Sequence, residues 1–191
     1  MEAMSTLAIV VAVSEDRPRG KILGRGTQQN YRHLRSFHRL CRKYGIVPTY
    51  MLSYPALRSD QLDWLYAAIE RQECESGTLF QSWTTPPFEA NENRLASTPT
   101  HRQHRDAVLR KFRVLHDTYN KRLGRPPRSN MSEEWDYSTN LLQSLVHLDY
   151  HFDCSLAPMV STLSQNVPSV PRVPFFPSLQ APTRRAGAVA R

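Results

Sequence analysis

The chain has 191 residues, 40% of them hydrophobic and 22% charged, and carries a formal net charge of +8. That length suffices to bury one substantial core, and no apolar run approaches the ~20 residues that span a bilayer, which argues against a membrane protein. Residues 163–191 hold Arg172, Arg184, Arg185 and Arg191 and no acidic residue, so half the excess charge sits there, and the remainder is a weak argument for a nucleic-acid partner.

The first apolar run, residues 7–13, is short and β-branched and reads as a buried strand. No basic region precedes it, so a signal peptide is not expected and cytoplasmic residence follows. Glu15 and Asp16 follow that strand, either as a solvated pair beside Arg17 and Arg19 or as carboxylates brought to the strand end by a loop shift. Gly20, Gly24 and Gly26 match neither a phosphate loop nor a dinucleotide fingerprint. Residues 27–44 repeat apolar positions at helical spacing through Leu34, Phe37, Cys41 and Tyr44. The arginines between them form either a solvated outer face or a phosphate-binding patch.

Further strands are expected near 47–53, 75–81, 128–131 and 150–155, with helices at about 59–72, 102–123 and 138–148. Strand and helix signals alternate, the mark of βαβ units on a mainly parallel sheet. Cys41, Cys74 and Cys154 lie far apart with no CxxC spacing and read as buried thiols, not as a disulfide framework or zinc knuckle. His101 and His104 lie three apart and His147 and His151 four apart, but neither pair has the HExxH pattern or a matching third ligand, so capping or exposed histidines are expected. Glu133 and Glu134, beside Trp135 and Asp136, read either as an acidic turn or as a carboxylate pair next to an aromatic platform. Pro168, Pro171, Pro174, Pro177 and Pro182 favour an extended ending. This divides the chain into an α/β domain, residues 1–162, and a Pro/Arg-rich tail, residues 163–191.

Several stretches resemble one known superfamily. Cys74 to Asn93, CESGTLFQSWTTPPFEANEN, resembles the third strand and following loop of the polysaccharide deacetylases, the NodB-homology superfamily. Members carry His-Leu-His-Pro-Trp where this chain reads Leu79-Phe80-Gln81-Ser82-Trp83, and the Thr84-Thr85-Pro86-Pro87 that follows is intact. Leu7 to Asp16, Ile46 to Pro55 and Leu142 to Pro158 resemble further segments of the family. The resemblance implies an incomplete (β/α) barrel of about five strands, since a full barrel takes about 200 residues or more. Phe175 to Leu179 with Pro182 to Arg184 resembles a mid-barrel loop, which implies a C-terminally shortened member.

By the same resemblance, the family's metal, acid/base and arginine positions fall on Ala12, Ser14, Leu79, Gln81, Met131 and Glu134. Leucine has no lone pair and a glutamine amide is a weak neutral donor. The resemblance thus implies a degenerate member with no catalytic residue, metal or cofactor. A retained ligand role falls on Trp83, Glu133, Trp135 and Asp153, where aromatic faces and carboxylates suit a carbohydrate. Two alternatives stand beside that reading. One is an interaction module that uses the open sheet edge or basic tail to bind a protein partner, a second copy or an acidic polymer. The other is a carbohydrate hydrolase or deacetylase that uses replacement carboxylates.

Overall fold

The computed structural model describes residues 8–15, 27–88 and 100–156. Five strands form one sheet: β1 Val10–Val13, β2 Thr49–Leu52, β3 Glu75–Phe80, β4 Ser129–Ser132 and β5 Phe152–Asp153. All neighbouring pairs are parallel, and their order across the sheet is their order in the chain. No reversal of strand order occurs, so the winding is that of a (β/α) barrel and not of a doubly wound sheet. Among the described residues the sheet is open, with β1 and β5 at its edges.

Five helices accompany the strands: α1 Tyr31–Lys43, α2 Tyr54–Leu57, α3 Asp63–Glu70, α4 Arg105–Leu123 and α5 Thr139–His147. The expected helix at 59–72 starts as a 3-10 turn, Asp60–Leu62, and continues as α3, while the short α2 before it was not expected and is capped by Ser53, which accepts from Ala56 N at 3.3 Å. Ser138 caps α5 through Leu141 N at 3.2 Å, and α4 ends on Gly124 in the left-handed conformation that glycine tolerates. No helix among the described residues is long and apolar enough to cross a membrane.

The core lies between the sheet and the helices. Tyr50, Leu52 and Phe80 point to it from the strands and meet Leu65, Ile69, Phe112, Leu115, Leu141 and Leu145. Phe80 stacks on Phe112 with ring centroids 4.0 Å apart, and Tyr150 meets Phe112 edge-on. Met51 and Leu79, one residue out of phase with Leu52 and Phe80, are buried but stand outside this cluster, as the two-residue period of a strand requires. Gly77 lies on their face. A Cβ there would come within 2.5 Å of Ser129 O, so the β3–β4 approach needs glycine.

Cys41 and Cys74 are buried as expected, but Cys154 is only half-buried. It sits just past the two-residue edge strand β5, where no further strand covers it among the described residues. Asp16, the glycine-rich segment around Gly20 to Gly26 and the tail, residues 163–191, lie outside the described residues.

Candidate functional site

In a parallel strand–helix fold every strand ends on the same side, where the loops into the helices gather. Three groups of side chains bear on that end, one on the helix-covered face of the sheet and two in the loops after β3 and β4. The first is a polar row across the sheet. The register aligns Val13, Leu52, Thr78, Asn130 and Asp153, apolar on β1 and β2 and polar on β3 to β5. Thr78 Oγ1 donates to Asn130 Oδ1 at 3.0 Å, and Asn130 Nδ2 donates to Asp153 Oδ1 at 2.9 Å. Ser155 Oγ donates to the same carboxylate at 2.7 Å and itself accepts from Ser132 N at 2.7 Å. Burial raises the Asp153 carboxyl to about 6, even though the Asn130 and Ser155 hydrogen bonds pull it down. Burial, with the Asp153 charge as a smaller cause, pushes up the Tyr137 hydroxyl.

The second group follows β3. Trp83 is buried, and its indole Nε1 donates to the Glu133 carboxylate on the loop after β4. Lys111 reaches from α4 into the same place. It is 1% exposed, and its ammonium donates to Ser82 O at 2.9 Å and Thr85 O at 3.0 Å while lying 5.0 Å from the centre of the Phe88 ring. The ammonium thus clasps the turn that carries Trp83. Gln81 is buried, and its Oε1 accepts from Thr84 Oγ1 at 3.2 Å.

The third group is the 3-10 turn Glu133–Trp135. Trp135 is 38% exposed and has φ +56°, a left-handed conformation uncommon for a bulky residue and costing on the order of 1–3 kcal/mol. Asp136 anchors the turn's far end by accepting from Thr100 N at 2.7 Å.

Of the four residues expected to hold a ligand, Trp83 and Glu133 are thus in contact and Trp135 shares the turn with Glu133. Asp153 belongs to the separate polar row. Lys111 and Asn130 escaped the sequence reading. Lys111 carried a signal, since it interrupts the apolar stripe of Val108, Phe112, Leu115 and Tyr119. Asn130 carried less, because a polar strand, Ser129-Asn130-Met131-Ser132, gives no warning that its amide is 0% exposed.

Ala12 and Met131 lie on the Met51, Gly77 and Leu79 face of the sheet, as the strand register dictates. The Glu134 side chain lies outside the description. Among the described residues no three His, Cys, Asp or Glu side chains converge as a metal would need. The histidine pairs do not meet: His104 caps α4, accepting from Asp106 N, while His147 contacts Arg113 and His151 contacts Arg128.

The fold is α/β, an open parallel sheet with flanking helices, of the polysaccharide-deacetylase (CE4) type. It superposes on BA3943, a CE4 family pseudoenzyme from Bacillus anthracis, with a TM-score of 0.52 at 9% identity, covering 76% of this chain and 41% of that one. The Xyl-CE4 domain of a multidomain xylanase from the hindgut metagenome of Trinervitermes trinervoides gives 0.47 at 11% identity, over 77% of this chain and 57% of that one. A BA3943 mutant with restored enzymatic activity gives 0.49 at 10% identity, over 76% and 43%. No protein-family model and no curated protein matches the chain. The chain therefore spans about two-fifths of the first structure's length.

Proposed function

We propose that the protein is a deacetylase-like scaffold that binds a carbohydrate without metal-dependent deacetylation. The observation that carries this reading is the half-exposed Trp135, held at a strained backbone angle beside Glu133 at the C-terminal end of the sheet. A flat aromatic face suits the apolar face of a sugar ring, and a carboxylate accepts from its hydroxyls. Trp83, being buried, contributes by fixing Glu133, and Lys111 by fixing Trp83. Leu79, Gln81 and Ala12 stand where the family resemblance places metal and acid/base groups, and none of the three supplies a strong ligand. Titrating the chain with β-1,4-linked oligosaccharides tests the site. Trp135→Ala is expected to lower affinity by tenfold or more, on the order of 1–3 kcal/mol, with circular dichroism unchanged. Equal affinity in the variant would remove Trp135 from the site.

A second reading has its own observation. Phe152 is 67% exposed on the edge strand β5, whose outer hydrogen-bonding groups face no neighbour among the described strands. Such an edge is a template for another strand, from a second copy or a protein partner. Phe152→Lys is then expected to abolish concentration-dependent association in sedimentation velocity. A parent chain that stays monomeric and captures no partner would count against this reading.

A further inference from the structure

A second cleft lies at the same end of the sheet, apart from the residues proposed above. Tyr31, Arg32 and Arg35 on the first turns of α1 face Gln61 of the 3-10 turn and Trp64 of α3 across a cleft of about 180 Å³. Both arginines are exposed, and neither is ion-paired to a carboxylate among the described residues. Arg32 Nε donates to His33 Nε2 at 3.1 Å. The Arg35 guanidinium lies 5.6 Å from the centre of the Trp64 ring, and the buried His38 packs 5.6 Å from that ring. Trp64 is thus fixed between two neighbours, and Arg35 is oriented by it.

The acids that flank Gln61 and Trp64 pair with another arginine. Asp60 and Asp63 are engaged by Arg122, Asp60 at 3.7 Å. The first turn of α1 contains no acidic residue, and its Asn30 cap makes no side-chain hydrogen bond to the helix because Asn30 Nδ2 donates to Ser14 O at 2.6 Å. Two guanidinium groups therefore sit beside the positive end of a 13-residue helix, an arrangement that weakens the helix unless an anion is present.

We propose that this cleft binds an oxyanion group, phosphate or carboxylate, carried on a ligand of about monosaccharide size. Arg32 and Arg35 would grip the oxyanion with charge-assisted hydrogen bonds, the Gln61 amide would hydrogen-bond a hydroxyl, and Trp64 would form the apolar wall.

Calorimetric titration of the full chain with inorganic phosphate, glucose 6-phosphate, glucuronate and glucose tests it. The expected result is saturable one-to-one binding of at least one anionic probe, weakened by salt, with glucose at least tenfold weaker. Binding of glucose 6-phosphate alone would assign a phosphate ligand, and binding of glucuronate as well would assign a carboxylate-tolerant site. Arg32→Gln with Arg35→Gln is expected to lower affinity by about a hundredfold, about tenfold for each charge-assisted hydrogen bond lost. The unliganded melting temperature of Arg32→Gln alone is expected to hold or rise, because the helix start loses like charge while the Arg35–Trp64 contact stays. If the double variant unfolds, Arg32→Gln alone carries the test, since that side chain is exposed and its one hydrogen bond is to exposed His33. Saturable binding of none of the anions, equal binding of glucose, or parental affinity in the arginine variant would overturn the proposal.

Discussion

Asp153 shows how one carboxyl sets a pH dependence. Its folded value of about 6 lies above the ordinary 3.8, so the folded state favours the protonated acid. The resulting stabilisation is fully present below about pH 4 and is lost as pH rises through about 6. Glu73 works in the opposite sense and in another window. Hydrogen bonding from Arg71 leads the effects that hold it at about 2, with His38 and Arg42 adding to it, so its contribution is present above about pH 4.5 and fades as pH falls toward 2. His116, whose burial lowers its value, contributes above its ordinary 6.5 and loses that contribution as pH falls below it, which opposes the Asp153 effect. The clean measurement is the difference between the parent and Asp153→Asn in urea unfolding from pH 4 to 8. Relative to the variant, the parent is expected to lose on the order of 1–3 kcal/mol between pH 4 and 7. A difference that stays flat would mean that the carboxyl is not perturbed.

At the scale of single elements, α4 joins the core to the Trp83 loop through Lys111. Replacing that ammonium by a thioether in Lys111→Met keeps the apolar stem but leaves the Ser82 and Thr85 carbonyls without their donor. The expected cost is on the order of 1–3 kcal/mol, with faster amide exchange over residues 82–88 and α5 unaffected. Exchange that rises equally everywhere would make Lys111 a general packing residue and not a clasp. The element order was legible in the sequence because period-2 and period-3.6 apolar patterns alternate, and four of the five strands fall within the expected ranges. The fourth ends one residue later than expected, at Ser132, because Phe80 pairs with it. The short helix α2 was not legible, since Ser53 and Pro55 sit inside the Ile46 to Pro55 stretch that reads as a strand. The meeting of Trp83 with Glu133 depends on strand register 50 residues apart, which local patterns do not encode.

For the molecule as a whole, five parallel strands in chain order give a barrel-type sheet with two edges among the described residues. One face is sealed by helices, as the Tyr50, Leu52 and Phe80 packing shows. The opposite face carries Met51 together with Ala12, Leu79 and Met131, and the last three offer only apolar surface and a thioether sulfur at positions where the resemblance to the family implies site groups. The most direct test of the proposal that this chain lacks metal-dependent chemistry is titration of the folded full chain with zinc, cobalt and nickel, alongside elemental analysis of the purified protein. No stoichiometric metal and no saturable binding are expected, with glycan affinity unchanged by a chelator. One tightly bound metal per chain, or glycan binding or turnover that appears only when metal is added, would contradict that proposal.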